Sequence, residues 1–386
     1  MDLMGLINTM NLKHKYRAWA EISAGALVHN LNYAKEKTGR KVMCVIKGNA
    51  HGHGAVECGK IFEKAGADAF AVAAFPEAIE LREAGIKIPV LVLGWTDPDS
   101  VKDMIKNDIS QSALSLDYAK ELSAEAVKTG GNLKVHAKLD TGMTRTGIFA
   151  QHDASAAADD VIAVNSLPGL DMRGIFTHFA AADMPEKDDY TAWQLENYKN
   201  VLKELKKKGF DKQVVHHVGN SATIMYHPEA YFDMVREGVM MYGFYPNGIY
   251  EENGPLEAVL SLKARVAQVK EIPAGTSVSY GCTFTSDHPM KIAAVTAGYA
   301  DSYPRIISNR GAWSVIRGHK CRQIGRICMD MCMFDVSDVP DVTEGDEVIL
   351  YGRGGMPLDK IAELTGSINC EPTCLLTQRV EKIYVE

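Results

Sequence analysis

Apolar residues in the first 245 positions follow two alternating rhythms. Short continuous apolar runs at 42–46, 69–73, 89–93, 110–116, 133–139, 170–176, 214–218 and 232–242 read as strands buried on both faces. Between them, at 24–36, 56–65, 76–84, 100–106, 116–128, 154–164 and 192–208, apolar residues recur at steps of three and four. That is the spacing of an amphipathic helix, clearest in Trp193, Leu195, Tyr198, Val201, Leu202 and Leu205. About eight such β/α units fit a (β/α)8 TIM-like barrel of about 250 residues. A doubly wound open sheet is the weaker alternative, because no G-x-G-x-x-G follows an early strand.

Past Gly254-Pro255 the rhythm changes. Strand-like segments at 258–272, 277–280, 291–296, 313–318, 322–327, 332–336, 347–351 and 380–385 are separated by turn signals, the pattern of an all-β domain. The expected organisation is a lead-in at 1–16, an α/β barrel over 17–250 and a C-terminal β domain over 251–386.

Composition removes several function classes. The 386 residues are 46% hydrophobic and 24% charged, as in ordinary globular proteins. A net charge of −7 with no basic block argues against nucleic-acid and anionic-membrane partners. No apolar run reaches the ~18 residues of a bilayer span, and the N-terminus lacks the features of a signal peptide, so the expected compartment is the cytoplasm. Eight cysteines include two C-x3-C pairs, Cys328/Cys332 and Cys370/Cys374, but neither has a knuckle turn. His51 and His53 lack a carboxylate to complete a ligand set, so no metal is expected.

The barrel register tests the candidate chemistry, because active sites in this fold collect where strands end. Lys47 follows the first strand and opens into Gly48-Asn-Ala-His-Gly-His-Gly54. Lys138 to Gly147, with Arg145, follows the fifth; His178 follows the sixth; His216-His217-Val-Gly-Asn220-Ser221 follows the seventh; Arg236-Glu-Gly238 ends the eighth. Gly219 to Ala222 and Gly238-Val239 lie where phosphate sites are often built in barrels. A phosphate cup near a strand-end lysine suggests pyridoxal phosphate held as a Schiff base on Lys47. Arg236 cannot accept a proton, so it would leave the cofactor's ring nitrogen unprotonated and favour simple proton exchange over more elaborate bond chemistry. Taken alone, Tyr280 reads as a packing residue of a strand.

At these residues the chain resembles the alanine racemase family of barrel-type pyridoxal enzymes. The resemblance covers nearly the whole chain. It runs through Ala18-Trp-Ala-Glu21, Val45 to Gly54, Glu77 to Gly85, Lys138 to Arg145, Thr177 to Ala180, Gly219 to Ser221 and Val235 to Gly238. It continues through Met241 to Gly243, Ser279-Tyr-Gly281, Gly298 to Asp301 and Gly325 to Asp330. It implies interconversion of L- and D-alanine, supplying D-alanine for cell-wall peptidoglycan, in a homodimer with shared active sites. By the same resemblance Lys47 is the base on one face of the substrate and Tyr280, from the other subunit, the base on the opposite face, oriented by His178. Arg145, steadied by Lys138 (carbamylated in many members), binds the substrate carboxylate and the cofactor's phenolic oxygen. The Met329 N–H also holds it, and Tyr299 lines the entrance. Ser221, Gly238 and Val239 bind phosphate, with Asn220 beside them. His217 and Asp330 support the site.

Three positions depart from the family pattern. His51 and Cys370 stand where tyrosines usually reach toward the phosphate, His51 keeping one hydrogen-bond donor for the cofactor, and Glu237 stands where proline is common. Losing the second tyrosine implies a pocket that tolerates serine or other small amino acids alongside alanine. An inactive cofactor-binding relative is a further alternative, opposed by the presence of Lys47, Arg145, Tyr280 and Asp330. A decarboxylase on the same barrel would want a catalytic cysteine in a different C-terminal setting.

Overall fold

A computed structural model describes residues 16–249, 251 and 253–386; all but the last residue of the expected lead-in at 1–16 lies outside the described residues. The chain divides into two compact units. One comprises Asn30–Ala50 and Ala55–Met241; the other takes the residues up to His29, His51–Gly54 and Tyr242–Glu386. The first strand, β1 (Ala18–Ser23), belongs to the second of these.

The barrel unit contains β2 (Lys41–Val45), β3 (Ala69–Val72), β4 (Val90–Val92), β5 (Ile109–Ala113), β6 (Leu133–Asp140), the short β7 (Ile148–Phe149), β8 (Leu170–Phe176), β9 (Val215–His217) and β10 (Met234–Glu237). Its sheet runs β10-β2-β3-β4-β5-β6-β8-β9, with β7 appended to β6, and every ladder is parallel. Between β9 and β10 the ring is closed by Asp233 N–H to His216 O (3.1 Å) and Arg236 N–H to Gly219 O (2.8 Å). Met43, Val45, Ala69, Ala71, Leu91 and Met234 form one cluster on alternate strand positions. The intervening residues, Val42, Cys44, Phe70, Val90, Val92 and Val235, are also fully buried. Burial on both faces explains why these strands read as continuous apolar runs.

In the barrel unit two expected strands end well before the apolar run does. β5 stops at Ala113 because Ser115 caps the helix Leu116–Thr129, accepting the Tyr118 N–H at 3.1 Å. β10 stops at Glu237, and Val239–Tyr242 turn as a 3-10 helix rather than continuing the 232–242 run.

The second unit is built on a sheet in the order β14-β17-β16-β15-β18-β11-β1-β19. Here β11 is Leu260–Ile272, β14 Met290–Val295, β15 Trp313–Ile316, β16 His319–Ile324, β17 Cys332–Asp335, β18 Glu347–Gly352 and β19 Glu381–Val385. A register shift between Val266 and Gln268 marks the middle of β11, which pairs with β1 and β18 before it and with β14 after it. β1 runs antiparallel to β11 and parallel to β19, so this sheet takes its strands from both ends of the described chain. A separate ribbon pairs β12 (Ser277–Val278) with β13 (Phe284–Thr285). The helices Leu358–Thr365 and Glu371–Cys374 lie within the region expected to be all strand. Among the described residues no helix is long and apolar enough to cross a membrane.

Candidate active site

Lys47 lies just past β2, after Ile46, and is half-buried. The four residues after it, Gly48, Asn49, Ala50 and His51, have φ of 61°, 54°, 54° and 50°, one turn of left-handed helix. Side chains other than glycine resist that conformation by about 1–2 kcal/mol per residue, so local bonds must hold it. The Asn49 side-chain oxygen accepts the Ala55 N–H at 2.8 Å, and Ala50 N–H donates to Ile46 O at 2.9 Å. Glu77 accepts from Gly48 N–H (2.6 Å) and from Ala73 and Ala74 N–H (2.8 and 3.1 Å), tying the turn to the start of the helix Phe75–Glu83.

Arg236, on β10, is only 3% exposed. Its guanidinium donates to the Thr177, His217 and Val218 carbonyls, to His217 Nδ1 (3.2 Å) and to His178 Nδ1 (3.2 Å). Arginine is a donor only, so both imidazoles accept at Nδ1 and carry their proton on Nε2. His217 then donates from Nε2 to His136 Nδ1 at 2.8 Å, which places the His136 proton on its own Nε2. Burial, reinforced by nearby cations, holds His178 and His217 well below the usual histidine range and His136 at about 4, so all three are neutral near pH 7. Burial also lowers Arg236 to about 10, leaving it charged.

Lys138, buried near the end of β6, is brought down to about 8 by burial and by the charges of Arg145 and Arg236. It donates to Thr146 Oγ1. Asp140 shapes the loop beyond it by accepting from Gly142 N–H (3.1 Å) and Thr144 N–H (2.9 Å), and Arg145 lies exposed on that loop. On the same unit, Asn220 caps the helix Ser221–Tyr226 through Thr223 N–H at 3.0 Å. Ser221 Oγ accepts from Gly238 N–H at 2.9 Å, whereas the Val239 N–H has no partner among the described residues. A methyl group at Gly238 would meet nothing closer than Ser221 Oγ at 3.7 Å, so the space before these groups is open. That opening, ringed by small residues and an unpaired N–H, fits a phosphate.

The β unit presents its candidates differently. Tyr280 is 65% exposed on the turn of the β12–β13 ribbon, not packed within a strand as its β propensity suggested. Ser279 and Cys282 flank it with φ of 67° and 47°, and Ser279 Oγ anchors the turn by donating to Arg326 O at 2.5 Å. Met329 is also exposed, and its N–H has no partner among the described residues. Its carbonyl accepts from Ala300 N–H and the Cys328 carbonyl from Tyr299 N–H, which ties Tyr299 to the same corner. Only glycine fits at 298, where a Cβ would lie 2.3 Å from Cys328 O. Asp301, fully buried, binds Arg17 and Arg379, each at 2.9 Å. Both arginines continue to Asp330, Arg17 to its carbonyl (2.6 Å) and Arg379 to its carboxylate (2.7 Å).

His51 and Cys370 are both buried in this unit. The His51 and His53 rings lie 5.0 and 4.4 Å from that of Tyr242, and Tyr384 donates to His53 O at 2.7 Å. A Cβ at Gly52 would fall 1.8 Å from Thr373 O, so the segments carrying His51 and Cys370 meet at this glycine. The two departures from the family pattern therefore share one contact.

Lys138, Arg145, His178, His217, Asn220, Ser221, Arg236, Gly238 and Val239 thus gather in the barrel unit with Lys47, while Tyr280, Tyr299, Met329 and Asp330 gather in the β unit. The sequence reading missed Arg17, Arg379 and His136, each of which acts through a partner distant in the chain and stands in no motif of its own; Glu77 opens the quoted stretch Glu77 to Gly85, where its bond to Gly48 N–H could not be read.

Two family models match the chain: "Alanine racemase, N-terminal domain" over residues 22–246 and "Alanine racemase, C-terminal domain" over 259–384. The chain is 40% identical over 370 residues to an alanine racemase of Desulforamulus reducens, covering 95% of this chain and 98% of that one. It is 38% identical to an alanine racemase of Methanococcus maripaludis, covering 95% and 98%. Among solved structures, alanine racemase from Clostridium difficile 630 superposes with a TM-score of 0.89 at 38% identity, covering 96% of each chain. The enzyme from Streptomyces lavendulae gives 0.88 at 32%, covering 96% and 97%.

Proposed function

The chain belongs to the alanine racemase family and is an amino-acid racemase; from that premise we propose that it interconverts L- and D-alanine with pyridoxal phosphate, as a cytoplasmic homodimer, and supplies D-alanine for peptidoglycan. The observation that carries this reading is Arg236: a buried, charged, donor-only group aimed along the barrel rim that also holds Lys47, Lys138 and His178. Ser221, Gly238 and Val239 would hold the cofactor's phosphate in the opening described above, Asn220 shapes it, and His51 lies on the loop beyond Lys47. When bound, pyridoxal phosphate supplies a carbonyl for Lys47 and an electron sink that acidifies the substrate α-carbon.

The chain's own residues do the rest. Lys47 Nζ takes or returns a proton on one face of the α-carbon, and Tyr280 of the partner subunit does so on the other. Racemisation requires both, because removal and return on the same face restore the starting enantiomer. His178 Nε2–H donates to the phenol oxygen of that tyrosine and stabilises its negative form, while Nδ1 stays occupied by Arg236. Arg145 and the partner's Met329 N–H grip the substrate carboxylate, and Tyr299 lines the entrance. Arg236 keeps its own proton, so beside the bound cofactor's ring nitrogen it would leave that nitrogen unprotonated and favour simple proton exchange.

Chiral analysis of protein loaded with pyridoxal phosphate tests the reading. Equal amounts of both enantiomers should build up from either form of alanine. If neither form yields its mirror image while the cofactor is bound, the proposal fails.

A further inference from the structure

Tyr190, Gln194 and Asn197 stand four and three residues apart on the helix Asp188–Lys207, so they share one face. Gln194 lies among the buried residues of that helix and is 0% exposed. A fully buried amide needs partners for both its ends. This one finds them on two loops of the barrel rim. Its Oε1 accepts from Ala180 N–H at 2.9 Å, and its Nε2 donates to His178 O at 3.2 Å. One partner only donates and the other only accepts, so the amide has a single orientation. Nε2 also reaches Thr141 Oγ1 at 3.5 Å.

Thr141 opens the loop after β6. Thr177 Oγ1 donates to Leu139 O at 2.9 Å, so the 2.8 Å bond between the two hydroxyls runs from Thr141 to Thr177. Thr141 is then free to accept from Gln194. The other two residues of the helix face hold the same loop: Asn197 Nδ2 donates to Thr141 O at 3.1 Å and Tyr190 OH to Gly142 O at 2.7 Å. Gly142 has φ of 144°, and a Cβ there would fall 2.9 Å from Gln194 Cγ, so the helix lies directly against the loop. One side chain therefore joins the root of the loop that carries Arg145 to the backbone at His178 and Ala180.

We propose that Gln194 is a positioning residue of the racemase, setting the carboxylate-gripping Arg145 loop and His178 at a fixed separation. Arg236 holds the His178 ring at Nδ1, and Gln194 holds its backbone, so Nε2–H is aimed from both ends. Tyr190 and Asn197 steady the Arg145 loop alone. The kinetic consequence rests on the racemase reading; the bridge between the loops does not.

Hydrogen exchange and kinetics on the cofactor-loaded protein test this. Gln194→Met keeps the length of the side chain and removes its amide. Gln194→Glu, which removes the donor alone, carries the kinetic comparison should the methionine variant not fold. In Gln194→Met, backbone exchange should quicken at least about tenfold both at 141–147 and at 178–181. Tyr190→Phe, which releases Gly142 O alone, should quicken only the first. Racemisation should lose about 10- to 100-fold in kcat/KM. The α-deuterium isotope effect on kcat/KM should rise for the enantiomer whose proton meets Tyr280 and fall for the other, because only one of the two bases loses its orienting partner. A general loss of stability would not separate the two. Unchanged exchange at either segment, or isotope effects that stay native or shift together, would overturn the proposal. Exchange is read without turnover, so a bridge present in a protein that fails to racemise alanine would count against the racemase reading and not against the bridge.

Discussion

The two units hold their candidate residues in opposite ways. In the barrel, Arg236, His217 and Lys138 are buried, and each is bound by neighbours from the same unit. In the β unit, Tyr280 is 65% and Met329 52% exposed, although their backbones are firmly anchored. Buried polar groups need local partners to offset desolvation, and those partners pre-orient them. Large exposed side chains on an anchored turn have a position but no environment, the arrangement expected of groups that complete another molecule's site. The difference supports a shared active site, and the most severe way to break it is by complementation. Lys47→Ala and Tyr280→Phe chains should each lose at least about 10³-fold in racemisation alone. Mixed and re-associated, they form hybrids in which one site of two regains both bases. About a quarter of native activity should return, as random pairing in a two-fold dimer requires. No recovery, with hybrids shown to be present, would mean that Tyr280 does not serve a partner.

A smaller effect tests how the β unit fixes an exposed backbone group. Arg17 and Arg379 share buried Asp301 and both reach Asp330, the residue after Met329. Removing Arg379 takes a charged hydrogen bond from this turn, worth about 1.5–3 kcal/mol. Arg379→Ala should therefore raise KM for alanine about tenfold or more while kcat changes little, because the grip proposed for the Met329 N–H would act in ground state and transition state alike. Arg379→Lys should restore part of the loss. A fall in kcat at unchanged KM would move the clamp's role from binding to chemistry.

What could be read from sequence divides along the same line. The barrel strands were legible because burial on both faces leaves unbroken apolar runs, and the rim residues stood in register at their ends. β1 was not, since Ala18–Ser23 acquires its partners only from residues more than 230 positions away. Tyr280 carried a misleading signal. Its aromatic ring favours strands, but positive φ at Ser279, Gly281 and Cys282 bends the chain into a turn. The hydrogen-bond direction through Arg236, His217 and His136 was invisible because it depends on which ring nitrogen faces which neighbour. The clamp at Asp301 was hidden likewise, by a spacing of 284 residues between Arg17 and its carboxylate.

The comparison also holds between adjacent residues of one strand. Arg236 is satisfied on one face of β10, whereas Glu237 on the other is fully buried and neither carboxylate oxygen has a hydrogen-bond partner. It sits in register with Cys44, whose buried thiol is itself pushed well up, first by burial and then by Glu237. Burial raises Glu237 well above the usual carboxylate range. The folded chain therefore holds a proton there that the unfolded chain releases near pH 4.5. Stability should fall as pH rises from that value to the folded pKa, and the full cost persists above it. Glu237→Leu replaces the unsatisfied acid with an apolar group and should stabilise the protein by about 1–3 kcal/mol near pH 8. Denaturant unfolding of both proteins from pH 8 down to 5 checks this, and the gap should narrow as the wild-type carboxyl regains its unfolded-state proton. Racemisation should stay near native, because this face of β10 points away from Arg236. A less stable leucine variant would show that Glu237 has a partner after all, and the contrast between the two faces of β10 would then disappear.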